Sequence, residues 1–202
     1  MASADGALPL DGVIAVFDLE WTTWEGAQAR NWSGPGEEIE IVEIGAVKLD
    51  GRNSLCEAAA FELLVRPRLN PMLRDYFTGL TGITQAMVDA GGRTFADALA
   101  AFGDFLAGDM PAVRVLSFGR DPDVLRRNCA LAGIAFPFPD ALFGNVRPEL
   151  ARFAGVAEDA LSASDLPRHL SFPAPADAHR GLGDARCIAE ALRRLRRARD
   201  GR

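Results

Sequence analysis

Three short stretches carry side chains that could hold a metal ion and move a proton. The first is Asp18-Leu19-Glu20, at the end of the apolar run 13–17. In a strand, residues i and i+2 point to one side, so both carboxylates would protrude together. Carboxylates that close repel one another unless a cation lies between them, and hard divalent ions such as Mg²⁺ take oxygen ligands of this kind. An acidic turn after a buried strand has the same appearance. The second stretch, Ser117-Phe118-Gly119-Arg120-Asp121, puts an acid after another apolar run and before a helix; read by itself, that acid is an N-cap. The third, His179-Arg180-Gly181-Leu182-Gly183-Asp184, places one of only two histidines five residues before an acid in the first turn of the last helix. A neutral imidazole beside an activated water is a general base near pH 7, although a surface His followed by a cap fits the spacing too. His169 has no acid at comparable spacing and reads as incidental.

The elements that must position these groups follow from periodicity and punctuation. Runs 13–20, 40–49 and 60–65 read as strands forming an antiparallel meander, with 22–37 a long glycine-bearing loop between the first two. Helices are expected over 71–77, 84–90 and 94–106, the last capped by Thr94 and repeating Phe95, Leu99, Phe102 and Leu106. A strand follows at 113–117, then a helix opened by Asp121 as cap and Pro122 at its first position and running to about residue 131. Residues 141–153 read as a helix interrupted near Pro148, and 167–178 as a proline-bearing loop. Residues 184–198 read as an amphipathic helix with Ile188, Leu192 and Leu195 inward and arginines outward. Strands followed by mixed helices and strands make this an α/β chain on a mixed sheet. No repeat or linker divides it, so 1–202 is expected to be one domain with its core over about 13–195.

Composition narrows the function classes. The 202 residues are 49% hydrophobic and 25% charged, as in ordinary globular domains, with no apolar run long enough for a membrane span. The first fifteen residues carry two acids and no Lys or Arg, which argues against a secretory leader. Three scattered cysteines indicate neither a disulfide framework nor a zinc knuckle, and a cytoplasmic setting is expected. The net charge of −6 does not suit a non-specific nucleic-acid coat, although residues 176–202 hold eight Arg against four acids. Arg193, Arg194, Arg196, Arg197 and Arg199 are too many for one helix face and are expected to be solvated. Trp21, Trp24 and Trp32 all lie in the loop after the first motif, where they could stack on unpaired bases or pack against the sheet. Arg180 and Arg186 flank the third motif and could hold phosphates.

Taken in order, Asp18, Glu20, Asp121, Asp184 and His179 resemble the motifs of the DEDD superfamily of 3′–5′ exonucleases, in its histidine subgroup (DEDDh). Glu43 to Val47 looks like that family's second strand, Tyr76 to Thr84 is similar to its Leu-Thr-Gly-Ile segment, and Leu125 and Cys129 fall in register with Asp121. The likeness runs from about Val13 to Leu195 and is strongest to the branch containing histone-mRNA 3′ exonucleases, RNA-silencing regulators and sporulation-inhibitor-like proteins. Departures are Trp21 after Glu20, Phe118 in place of Trp, and a second motif one residue short, which makes Asp123 a rival to Asp121. Gly181 and Gly183 replace Ala and Asp, and Gly183 is expected to loosen the loop carrying His179.

The resemblance implies a ribonuclease-H-like fold, a five-stranded mixed sheet flanked by helices. It implies two divalent cations, Mg²⁺ or Mn²⁺, typically about 3.5–4 Å apart in such sites. Asp18 would serve both, Glu20 and Asp184 the first, and Asp121 the second through water. His179 and Glu20 are the expected catalytic residues, with His179 taking the proton of the attacking water. Leu19, Trp21, Thr22, Phe118 and Arg180 are expected on the substrate, the 3′ end of a single-stranded nucleic acid, with RNA slightly favoured over DNA and nucleoside 5′-monophosphates as products. The alternatives are a catalytically weak binding module on the same fold and a phosphodiesterase for short oligonucleotides.

Overall fold

A computed structural model describes residues 8–201 except 109 and 178; the N-terminal charge reading above falls partly on residues 1–7, outside the described residues. Strand β1 (Val13–Trp21) pairs antiparallel with β2 (Ile41–Asp50), and β2 with β3 (Cys56–Leu64), as the expected meander. Helices α1 (Asp75–Thr81), α2 (Gln85–Gly91) and α3 (Phe95–Ala107) lead to β4 (Arg114–Ser117), which joins the other edge of β1 in parallel. Then come α4 (Asp121–Ala132), the short β5 (Phe143–Asn145) parallel to β4, α5 (Arg147–Ala154), α6 (Leu166–Leu170) and α7 (Gly181–Asp200). The strand order β3-β2-β1-β4-β5, mixed and flanked by helices, is the ribonuclease-H-like arrangement.

Alternation along β1 sets the two layers. Ala15, Phe17 and Leu19 face α3 and α4, packing with Leu99, Phe102, Val124 and Leu125. Ile14 and Val16 face α7, packing with Ile188, Leu192 and Leu195. With a period of two, Asp18 and Glu20 continue the Ile14–Val16 row and come out on the α7 side. On β2, Asp18 pairs with Gly45 and Glu20 with Glu43, so those two residues face the start of α7.

Several expectations shift. The helix expected at 71–77 begins instead at Asp75 and is stopped by Gly82 in the left-handed region (φ 72°). The third strand begins at Cys56, earlier than its apolar stretch, because pairing with Asp50 extends it. Asp121 is not the cap of α4: Arg120 holds that position and no side chain caps it. Pro148 does not interrupt a helix but sits in the first turn of α5, where its missing N–H costs nothing, and β5 precedes it. Pro167 likewise starts α6 within the expected loop. The arginines of α7 are more than a solvated face. Arg193 donates to the carbonyl of Leu55, Arg194 to Leu170, Arg196 to Leu10 and Gly51, and Arg199 to Leu8, tying residues 8–10, the β2–β3 turn and α6 to α7. No helix among the described residues is long and apolar enough to cross a membrane.

Candidate active site

Carboxylate oxygens of Asp18, Glu20 and Asp184 lie within 4.8 Å of one another. Asp18 and Glu20 reach this point from β1, and Asp184 from the first turn of α7, which can come so close because two glycines face each other. A Cβ on Gly45 would stand 1.9 Å from the Leu182 nitrogen, and one on Gly181 would stand 2.9 Å from the Gly45 nitrogen. Glu43, fully buried, fastens the same turn: its carboxylate accepts from the Gly181 N–H (2.8 Å) and from the Arg180 guanidinium, which also pairs with Glu62. Gly183 does not loosen this loop. Its missing Cβ is what lets the Asp177 carbonyl approach, since a methyl there would lie 2.0 Å from that oxygen.

Asp121 enters from the start of α4, 3% exposed, with its Oδ1 accepting the Leu19 N–H at 3.2 Å. The carboxylate that looks like a cap in the sequence is thus turned toward β1. Asp123 lies on the exposed side of α4. His179 has left-handed backbone (φ 66°), donates its N–H to Asp184 Oδ1 at 3.3 Å, and borders the same cleft.

The electrostatics are those of crowded acids. Burial, then Asp121, Glu20, Asp184 and Glu43, push Asp18 well above the usual carboxylate range. Burial, then Asp184, Glu43 and Asp121, do the same to Glu20, with Arg180 opposing. Burial raises Asp121 to about 6 against the N–H donors of Asp121 itself and Leu19, and raises Asp184 against the His179 N–H. An all-oxygen set of acids that disfavour their own charge fits a hard divalent cation, which would relieve the repulsion.

The surrounding cleft, about 490 Å³, is lined on one side by Trp21 and Trp32 and on others by Tyr76, Leu80, Phe118, Arg120, Arg147, Ser162 and Ser164. Of the residues expected on the substrate, Leu19, Trp21 and Phe118 border it. Leu19 does so although its side chain belongs to the core. Thr22 does not: it is buried, donating to the Glu38 carbonyl and accepting from the Glu40 N–H. Arg180 is taken up by Glu43 and Glu62, and Arg186 by Glu57, so neither is on the cleft wall. Trp21 and Trp32, edge to face with centroids 6.1 Å apart, pack on the core and also border the cleft. Trp24 lies apart, beside Met72 and Phe77. Sequence reasoning missed Glu43, Leu80 and Arg147 as site residues. Glu43, an acid inside an apolar strand, was the one with a readable signal.

The model of the RNase_T exonuclease family matches residues 15–192. The chain is 34% identical over 122 residues to the 3′-5′ exonuclease Snipper of Drosophila melanogaster, covering 60% of this chain and 41% of that protein. It is 28% identical over 189 residues to human 3′-5′ exoribonuclease 1, covering 90% and 52%. It therefore spans about half or less of the length of these curated relatives. Among solved structures, the nuclease domain of 3′hExo, described as a DEDDh family member bound to rAMP, superposes with a TM-score of 0.79 at 26% identity, over 95% of each chain.

Proposed function

Because the chain belongs to the RNase_T exonuclease family, we propose that it is a metal-dependent 3′–5′ exonuclease that releases nucleoside 5′-monophosphates from single-stranded ends, RNA before DNA. The observation that carries this reading is the convergence of Asp18, Glu20 and Asp184 within 4.8 Å at the floor of a cleft that also holds Asp121 and His179. The relatives named exonucleases, and the rAMP in the 3′hExo nuclease domain, support the substrate class.

Asp18, Glu20, Asp121 and Asp184 would hold two Mg²⁺ or Mn²⁺ ions. When bound, such ions polarise the phosphate and make water a better nucleophile. His179 takes the proton of the attacking water from the cleft's rim, and its exposure lets that proton pass on to solvent. Glu43 and Arg180 hold the turn that carries His179 and Asp184. Tyr76, Phe118 and Trp21 border the cleft and would stack on an unpaired terminal base. Stacking between them requires a base out of a duplex, so single strands are the substrate. Free Cys56, Cys129 and Cys187 accord with a reducing cytoplasm. The test is stepwise digestion of 5′-labelled single and double strands of RNA and DNA with Mg²⁺ or Mn²⁺. A ladder from single strands, and slow attack on blunt duplexes, is the expected result. Rapid cutting of a circular single strand would remove the exonuclease reading.

A further inference from the structure

The cleft that gathers the acids has two cationic side chains on its wall, Arg120 and Arg147. Arg120 is engaged: it donates to Asn31 Oδ1 at 3.0 Å and lies 5.6 Å from the Trp32 ring centroid. Arg147 is not. None of the ion pairs among the described residues includes it, and its Nε–H is buried with no acceptor. A buried donor left unmade is costly in a folded protein. The side chain is nevertheless held in place, its guanidinium 5.7 Å from the Phe118 ring centroid and its backbone N–H on Asn145 Oδ1 at 2.9 Å. A guanidinium offers a planar fork of donors, and the ligand that matches such a fork in a nuclease cleft is a phosphate.

Strand order places Arg147 relative to the acids. Val16 is level with Leu116, and Ser117 with Asn145. Asp18 lies two residues beyond Val16, and Arg147 two residues beyond Asn145, at the same end of the sheet. β4 stands between β1 and β5, so Arg147, which opens α5, reaches the cleft from the side of β4 away from Asp18.

We propose that Arg147 is a specificity-determining residue that grips the phosphate next to the one hydrolysed, so that the site accepts a nucleic-acid strand in preference to a single phosphodiester. The inference rests on the exonuclease reading. It is tested by steady-state kinetics of Arg147→Ala and Arg147→Lys on two substrates: a short single-stranded RNA oligomer, and the p-nitrophenyl ester of thymidine 5′-monophosphate, which has one phosphate. For Arg147→Ala, KM on the oligomer rises about 10- to 100-fold, the size of a lost charge-assisted hydrogen-bond pair. Its kcat stays within about 3-fold, the mark of lost uniform binding, and the ester is turned over as by the wild type. The slope of log KM against log salt falls by about 0.7, the value for one phosphate contact on a single strand. Arg147→Lys keeps the slope and recovers part of the affinity. Equal losses on both substrates, an unchanged salt slope, or a wild-type KM on the oligomer would overturn the inference while leaving the exonuclease reading in place. Wild-type protein inert on both substrates with Mg²⁺ and Mn²⁺ would sink the exonuclease reading, and the role of Arg147 with it.

Discussion

Gly45→Ala adds one methyl group at a distance from the reacting phosphate, and the structure makes it a severe change. The new Cβ would lie 1.9 Å from the Leu182 nitrogen and 2.0 Å from the Gly181 carbonyl carbon, both backbone atoms that cannot swing aside. Ordinary contact begins near 3.4 Å, so the first turn of α7 must retreat from β2 by about 1.5 Å. That retreat breaks the 2.8 Å bond from Gly181 to Glu43 and carries Asp184 away from Asp18 and Glu20. A displacement near 1 Å at a catalytic centre can cost about 10²-fold in rate, so kcat/KM should fall by at least about that factor. Overpacking of this kind costs roughly 1–3 kcal/mol, which in a chain of this size lowers Tm by roughly 2–12 °C without unfolding it. Gly91→Ala is the control: a Cβ there meets nothing within 4 Å, and the change should be neutral or stabilising by up to about 1 kcal/mol. The assay is release of nucleotide from a labelled single strand, with thermal melting in parallel. Wild-type turnover by Gly45→Ala, at wild-type metal dependence, would refute the claim that the Gly45–Gly181 approach sets the carboxylate geometry.

Three further outcomes follow from the site. His179→Ala should slow turnover by roughly 10²–10⁴-fold while metal binding, followed by titration calorimetry, survives; near-normal turnover would move the proton to another group. Asp121→Asn should be far more damaging than Asp123→Asn, because only Asp121 is buried against Leu19; the opposite ranking in the same nuclease assay would mean the second motif is wrongly aligned. Metal-free protein should lose stability as pH rises. Asp121 goes from an ordinary 3.8 to about 6 on folding, so its contribution is fully present below the unfolded value and is lost as pH climbs through the folded one, on the order of 3 kcal/mol in all. Melting curves of metal-free wild type and Asp121→Asn should diverge between about pH 4 and pH 7, the variant becoming the more stable. A constant difference would show that Asp121 carries no such strain.

Much of this was legible in the sequence because the signals were local. β1 and β2 are mostly apolar runs, Thr94 caps α3 as its position indicates, and Asp18 and Glu20 share a face by the period of a strand. What escaped depends on partners distant in the chain. β5 has three residues and exists by pairing with β4. Asp121 looks like a cap until the Leu19 N–H, 102 residues away, is seen to take its oxygen. Glu43 and Arg180 find each other across 137 residues, which turns an expected phosphate ligand into a brace. The arginines of α7 bind carbonyls up to 191 residues away. Pro148 and Pro167 follow a local rule, since proline suits the first turn of a helix, which the reading of a break at Pro148 and a loop from Pro167 leaves unused.

We propose that the half-buried Asp18 and Glu20 at the end of β1 and the buried Asp184 at the start of α7 hold cations for hydrolysis at a 3′ end. It is tested most directly by one time course on a 5′-labelled single strand, run with Mn²⁺, with excess chelator, and with Asp18→Ala protein shown by melting to be folded. A ladder shortening from the 3′ end with Mn²⁺ alone, and intact strand in the other two lanes, is the expected result. Undiminished shortening in excess chelator, or by folded Asp18→Ala, would contradict it.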